Sequence, residues 1–307
     1  MDPENRGEAD LQGSVEARYL AFLETIVTLR PNLHRYCSRM TGSVMDGEDV
    51  VQEALFQAYR TLDSFDDSRP LAPWLFRIAH NRCIDFLRRR AVRETTEAAV
   101  EEPDPVMPAE PPGPALGRAV EHLVLSLPPK ERACVLLKDV FDYSLEEIAE
   151  LVDSTVGGVK AALHRGRARL PAAPERKAQR PVKDADEAQL LHLYVERFNR
   201  RDWDGLRELI ADDARLRVAD RYAGRFADAP YFYRYQNWPM PWRLTVGEVD
   251  GEPVIINLQR GAGGSEVRTV IRLEVSGQRV TRIADYIHCP WVLPAAASAV
   301  VDSSWAN

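Results

Sequence analysis

The clearest structural signal in the middle of this chain is Ser144-Leu-Glu-Glu-Ile-Ala-Glu-Leu-Val-Asp-Ser-Thr-Val-Gly-Gly-Val-Lys160. Ser144 and Glu147 stand three residues apart just before an apolar run, which is the spacing of a capping box that opens a helix. Asp153-Ser-Thr155 then interrupts the pattern, and Thr155 can cap a second helix. Two short helices joined by a three-residue turn predict a helix-turn-helix.

The second helix, which runs to about Arg169, has two different faces. One stripe is apolar, and the opposite stripe exposes Gly157, Lys160, Ala161 and His164. Residues 154–170 contain Lys160, Arg165, Arg167 and Arg169 but no acid, within a chain whose net charge is −7. This face predicts contact with DNA phosphates, and a solvated basic face is the alternative.

The composition limits the classes of protein that fit the rest of the chain. At about 150 residues per domain, the 307 residues suggest two domains and leave room for three small ones. Hydrophobic residues make up 45% and charged residues 28%, which excludes a fibrous or wholly disordered protein. No apolar run approaches the ~18 residues of a membrane helix, and Met1 to Asp10 lacks the apolar core of a signal peptide, so we expect a cytoplasmic protein.

The four cysteines lie far apart, without the close pairing that metal sites use. We therefore expect buried thiols, and we expect neither a metal site nor a cofactor.

Composition also divides the chain into segments. Residues 93–114 are acidic and rich in proline, and residues 172–184 mix prolines with alternating charges, so both predict linkers. Helical periodicity dominates residues 14–92 and 115–171. Residues 185–295 begin with helices and continue with strand-like alternation. The expected fold is two all-α domains followed by an α+β domain with a curved antiparallel sheet.

A helix is predicted from Trp74 to about Arg90, with Pro73 at its first position. One face of this helix is too polar to be buried in a hydrophobic core. This face holds Trp74, Arg77, Asn81, Asp85 and Arg88. Aromatic rings stack on unpaired bases and cations follow phosphates, so the face predicts binding of single-stranded DNA. A partly buried core ring is the alternative for Trp74. The polar loop before the helix, residues 64–70, can cradle a base.

An upstream helix, from about Asp49 to Leu62, has an apolar face and a mixed face. The mixed face exposes Asp49, Gln52, Glu53, Phe56 and Arg60. An exposed phenylalanine among charges predicts a protein-docking surface, with an ordinary solvated face as the alternative.

Four motifs occur in order: Asp46-Gly-Glu-Asp-Val-Val-Gln-Glu-Ala54, Trp74-Leu-Phe-Arg-Ile-Ala-His-Asn-Arg82, Leu127-Pro-Pro-Lys-Glu-Arg132 and Ser144-Leu-Glu-Glu-Ile-Ala149. Together they resemble the bacterial sigma-70 superfamily, extracytoplasmic-function group. The resemblance implies that residues 14–92 are sigma region 2, which binds core RNA polymerase and melts the −10 element. It implies that residues 115–171 are region 4, which reads the duplex −35 element.

The resemblance also implies roles for single residues. Polymerase docking would fall on the mixed face, at Asp49, Gln52, Glu53, Phe56 and Arg60. The opened −10 strand would be held by Trp74, Arg77, Asn81, Arg82, Arg88 and the loop residues Ser68 and Arg69. The −35 contacts would come from Thr155, Lys160, His164, Arg165 and Arg167. The pair Gly157-Gly158 departs from relatives that carry polar side chains there.

The third segment, residues 185–295, resembles the SnoaL-like members of the NTF2-like fold, a cone with a pocket at its wide end. The resemblance implies a regulatory role, with an anti-sigma protein or a small ligand as further partners. Most aromatics of this segment are expected in its core. Asp285 and His288 are the one acid and base pair proposed for catalysis, but three residues apart on a strand they would face opposite sides.

The sequence thus predicts a promoter-directing subunit of RNA polymerase that is not an enzyme. Two alternatives stay open at this point. One is a helix-turn-helix regulator fused to a ligand-binding domain, and the other is a SnoaL-type enzyme with a DNA-binding appendage.

Overall fold

The structure is a computed structural model that describes residues 3–66, 68–98, 124–170, 185–261, 264–296 and 298–301. These residues form two compact units, one mostly before residue 173 and the other mostly after residue 174. The predicted linker at 172–184 and residues 99–114 of the other predicted linker lie outside the described residues. In the described ranges, no helix is both long and apolar enough to cross a membrane.

The first unit begins with three helices: α1 (Pro3–Thr41), α2 (Val44–Thr61) and α3 (Leu71–Ala98). The helices predicted at residues 49–62 and 74–90 are confirmed, and both begin earlier than expected. Helix α3 also ends later, so residues 93–98, which were predicted as linker, are helical. Pro73 is the third residue of α3 rather than the first. A proline fits there as well, because none of the first four N–H groups of a helix has a partner within that helix.

The helix-turn-helix follows in the same unit. The chain forms α4 (Pro129–Val135), a π-helical turn at Leu136–Val140, α5 (Leu145–Leu151) and α6 (Val156–Arg169).

Both predicted caps are confirmed. The Ser144 hydroxyl accepts a hydrogen bond from the Glu147 N–H at 3.2 Å, while the Glu147 carboxylate accepts one from the Ser144 N–H at 2.7 Å. Thr155 Oγ1 accepts from the Gly158 N–H at 3.0 Å.

One hydrophobic core runs through all of the first unit. The ring of Phe141, from the segment before α5, is half-buried and packs edge-on against the buried rings of Tyr36 of α1 and Phe76 of α3, with centroids 6.0 Å apart in both cases. Tyr143 adds a further edge contact to Phe76 at 5.5 Å. The core therefore fixes α5 against α3, and the two helices are in contact.

The cysteine prediction is confirmed, because all four thiols are free and buried.

The second unit has four helices among its described residues: α7 (Ala185–Arg200), α8 (Trp203–Leu209), α9 (Tyr231–Gln236) and α10 (Val292–Ala295). Its strands are β1 (Ile210–Val218), β2 (Tyr222–Arg225), β3 (Trp242–Val249), β4 (Glu252–Gly261), β5 (Gly264–Ser276), β6 (Arg279–Asp285) and β7 (Ala299–Val301). They form one curved sheet in the order β2-β1-β6-β5-β4-β3-β7. Neighbours are antiparallel except β1 and β6, which run parallel.

The aromatic core predicted for the third segment is confirmed. Phe198 of α7 is fully buried, and its ring makes edge contacts with Tyr235 at 5.0 Å and Trp242 at 5.4 Å. Helices α7 to α9 thereby cover one face of the sheet.

Candidate nucleic-acid interface

The polar face of α3 carries the residues predicted to hold an opened DNA strand. Arg77, Asn81 and Arg88 are exposed. Trp74 is half-buried, and its ring lies on Phe65 with 4.8 Å between centroids. The ring is thus partly buried, as one of the two alternatives for Trp74 has it, and its role in binding DNA stays a prediction.

Arg82 differs from these neighbours because it reaches toward α2. Its Nε donates to Gln57 Oε1 at 2.6 Å, and its Nη1 lies 3.9 Å from the Asp85 carboxylate. The same carboxylate lies 3.8 Å from Arg88 Nη1. Two predicted DNA-binding cations therefore share one acid, and these exposed pairs are weak enough for a phosphate to replace them.

The loop before α3 is held by Asp66. Its carboxylate accepts hydrogen bonds from the Ser68 N–H at 3.0 Å and the Ser68 hydroxyl at 2.7 Å, and these bonds lower the pKa of Asp66. The Arg69 N–H donates to the Asp66 carbonyl at 3.0 Å. This turn presents Ser68 and Arg69 to solvent beside an open groove of about 590 Å³ that is lined by Phe65 and Pro70.

The guanidinium of Arg69 is paired within the molecule. Its Nη2 binds the carboxylate of Glu150 on α5, and both side chains are more than half exposed. A residue predicted to contact the −10 strand thus contacts the helix-turn-helix.

Helix α6 presents the predicted −35 face to solvent. Thr155, Lys160 and His164 are exposed, and the apolar stripe opposite them, which includes Val159 and Leu163, is buried. Within the described ranges neither Lys160 nor His164 has a carboxylate partner, which leaves both available to a duplex.

Two further cations of α6 are paired with acids of the same unit. Arg165 Nε donates to Glu131 at 2.9 Å, and Arg167 Nε donates to Asp139 at 3.1 Å. Arg169 also binds Glu131. These pairs fasten the end of α6 to the preceding helical segment and cancel much of the charge that the sequence places on this face.

The predicted polymerase surface on α2 is partly exposed. Phe56 is 64% exposed, and the guanidinium of Arg60 lies 5.9 Å from its ring centroid. Glu53 is exposed, while Asp49 and Gln52 are half-buried. Gln52 donates to Glu48 at 3.1 Å.

Asp285 and His288 are not brought together. Asp285 is the last residue of β6, and its buried carboxylate accepts from the Tyr231 hydroxyl at 2.9 Å and the Tyr235 hydroxyl at 2.7 Å. Burial raises the pKa of Asp285 to about 6. His288 lies beyond the strand, so its expected placement on that strand was wrong. The reason is that β6 ends at Asp285, where the carboxylate caps the Ile287 N–H at 2.9 Å.

Sequence reasoning missed the acids that pair with the predicted DNA-binding residues: Glu131, Asp139 and Glu150. Their partners lie 28 to 81 residues away along the chain. No periodic signal joins residues so far apart. The tyrosines that bind Asp285 were assigned only to core packing.

Comparisons with known proteins match the order of these segments. A family model described as Sigma-70 region 2 matches residues 25–93, and one described as Sigma-70, region 4 matches residues 117–170. The ECF RNA polymerase sigma factor SigW of Bacillus subtilis is 34% identical over 162 residues, which cover 49% of this chain and 87% of SigW.

Among solved structures, the extracytoplasmic function sigma factor SigJ of Mycobacterium tuberculosis is 17% identical and has a TM-score of 0.35, with 86% of this chain and 95% of SigJ covered. An NTF2-like protein from Cytophaga hutchinsonii is 10% identical and has a TM-score of 0.25. The match covers 32% of this chain and 87% of that protein.

Proposed function

The chain belongs to the extracytoplasmic-function sigma factors of bacterial RNA polymerase, and on this basis we propose a role in promoter recognition for each of its surfaces. Region 2 would dock on core polymerase through α2 and hold the opened −10 strand on α3. Region 4 would read the duplex −35 element through α6. The second unit would regulate this activity.

The observation that carries the −10 assignment is the face of α3. The half-buried Trp74 lies beside the exposed Arg77 and Asn81, and the open groove next to the loop is large enough to hold an unstacked base. Stacking on aromatic rings contributes about 1–3 kcal/mol per base, which offsets the few kcal/mol needed to unstack it.

For the −35 element, Lys160 and His164 would make the contacts with base edges. They lie one turn apart on the exposed stripe of α6, whose N-terminus is capped by Thr155. Arg165 and Arg167 would contact the backbone, and a phosphate would compete for them with Glu131 and Asp139. This competition predicts weaker non-specific binding than the number of arginines suggests.

We also propose that the chain acts in the cytoplasm, with polymerase, and without catalysis of its own. In support, the Asp285 carboxylate is fully buried, and three donors of the protein itself already bind it. An anti-sigma protein or a small ligand remains a proposed further partner.

The direct test is in vitro transcription with purified core polymerase, on promoters located by mapping transcript starts. We expect the full chain to initiate at defined sites and R77A to reduce initiation at least tenfold. R200A is the matched control, because Arg200 is an exposed arginine in the second unit. Equal activity of R77A and the control would contradict the assignment.

A further inference from the structure

We propose that Glu150, on the acidic helix α5, takes the place of a promoter phosphate on Arg69 and so competes with the −10 strand. The inference rests on the proposed role of region 2 in holding the −10 strand. It adds a competitor for that strand, supplied by region 4 of the same chain.

The first observation is the charge of α5 and its turn. Residues 144–155 contain four acids and no base, and all four acids are exposed: Glu146, Glu147, Glu150 and Asp153. Helix α3, which carries the basic −10 face, is in contact with α5. A strongly negative helix therefore lies against the element that is to bind a negative strand.

The second observation is the contact itself. The Glu150 carboxylate binds the Arg69 guanidinium, and this arginine stands at the rim of the groove beside the −10 loop. A guanidinium binds a carboxylate and a phosphate with the same donors. A DNA strand on Arg69 would therefore have to displace Glu150.

The third observation explains why Glu150 stays in place. Phe141, which packs on Tyr36 and Phe76, anchors the segment that leads into α5 to region 2. The Arg132 guanidinium, from α4, also donates to the Met40 carbonyl of α1. The ion pair is solvent-exposed and so weak by itself. The contacts of Phe141 and Arg132 keep Glu150 next to Arg69, and a DNA phosphate can still replace the Glu150 carboxylate.

Promoter geometry requires the two regions to separate. The −35 and −10 elements lie about 25 base pairs apart, which is roughly 85 Å of duplex at 3.4 Å per base pair. With α5 against α3 and α6 packed on α5, the two proposed DNA-binding helices lie about two helix-packing distances apart, roughly 20 Å, which is far less than the spacing of the two elements. Opening the unit would remove Glu150 from Arg69 and uncover the −10 surface in the same step.

The test measures binding of a fluorescein-labelled 20-nucleotide single strand of mixed sequence to the full chain by anisotropy. E150Q keeps the shape of the side chain and removes the competing charge, so affinity should rise about twofold to fivefold. E146Q is the matched control, because Glu146 is an exposed acid on the same helix. R69A should lower affinity, and R69A/E150Q should show no gain over R69A.

Equal effects of E150Q and E146Q would overturn the proposal, because the gain would then reflect net charge alone. A gain that persists without Arg69 would also overturn it, as would no change in any variant. Circular dichroism would verify that each variant is folded. The role of region 2 is tested separately by R77A in transcription, so failure of one proposal is distinguishable from failure of the other.

Discussion

At the residue scale, His80 couples the core of the first unit to pH. It is buried, and the Tyr36 hydroxyl lies 2.8 Å from its Nδ1. Burial lowers the pKa of His80 to about 4. In the unfolded chain the pKa is about 6.5. Between these values only the unfolded state holds the proton, so stability rises with pH in this window.

We therefore predict that the first unit loses up to about 3 kcal/mol of stability as the pH falls from 6.5 to 4. Denaturant unfolding at several pH values checks this. H80N should be less stable at pH 7.5 because it leaves a cavity, but it should lose much of the pH dependence. The control H164N changes an exposed histidine and should keep the slope. A wild-type stability that is flat over this range would contradict the prediction.

Asp285 makes the stability of the second unit depend on pH in the opposite direction. Its folded pKa of about 6 stands above the ordinary aspartate value of about 3.9, so the folded state holds the proton to higher pH than the unfolded state does. Stability is then fully present below pH 4 and declines by up to about 3 kcal/mol as the pH rises through 6. Five of the six tryptophans of the chain come after residue 174, so intrinsic tryptophan fluorescence mainly follows the unfolding of this unit. D285N should remove the decline, and an unchanged slope in D285N would exclude Asp285 as its source.

At the scale of elements, the two glycines that open α6 differ in the space around them. A Cβ at Gly157 would meet only Thr155 Oγ1, at 3.9 Å, whereas a Cβ at Gly158 would lie 2.6 Å from Ser154 Oγ. Alanine is about 1 kcal/mol better than glycine inside a helix. We predict that G157A stabilises the first unit by about that amount.

G158A should gain less or destabilise, because Ser154 must move. Thermal unfolding of the two variants side by side measures the difference. Equal stabilisation by both would show that the close contact at Gly158 costs nothing.

The helices and most strands could be predicted from the sequence because helical and strand periodicity is visible within a short stretch of neighbouring residues. The strand-like alternation predicted after the helices of residues 185–295 corresponds to β1, β3, β4, β5 and β6. The missed strands β2 and β7 have only four and three residues, too few to show alternation. Helix α9 was not predicted, because its six residues are too few to show helical periodicity.

The sequence predicted which helix faces of the candidate site are exposed, but it did not predict which acids pair with the arginines on them. Helical spacing placed Arg77, Asn81 and Lys160 on exposed faces, as the structure has them. It carried no information on Glu150, which is brought to Arg69 by the packing of Phe141 in a core shared by both helical segments. Contacts between distant segments depend on tertiary structure, and one sequence does not encode them in a local pattern.

At the scale of the whole molecule, the second unit is the proposed regulator. A chain that ends near Arg180 lacks its sheet and helices α7 to α10. We predict that this truncation changes promoter activity at least twofold in transcription with core polymerase. The control is the full chain with R200A, which removes one surface charge but leaves the second unit in place. Unchanged activity of the truncated chain would contradict a regulatory role.

The central claim is that α3 holds one strand of an opened promoter. Permanganate footprinting of a mapped promoter with the reconstituted holoenzyme tests it most directly, because permanganate modifies unpaired thymines. We expect reactive thymines at the −10 element with the wild-type chain and at least a tenfold loss of reactivity with W74A, while R200A, at the surface of the second unit, keeps the signal. Full reactivity with W74A, or reactivity without this chain, would contradict the claim.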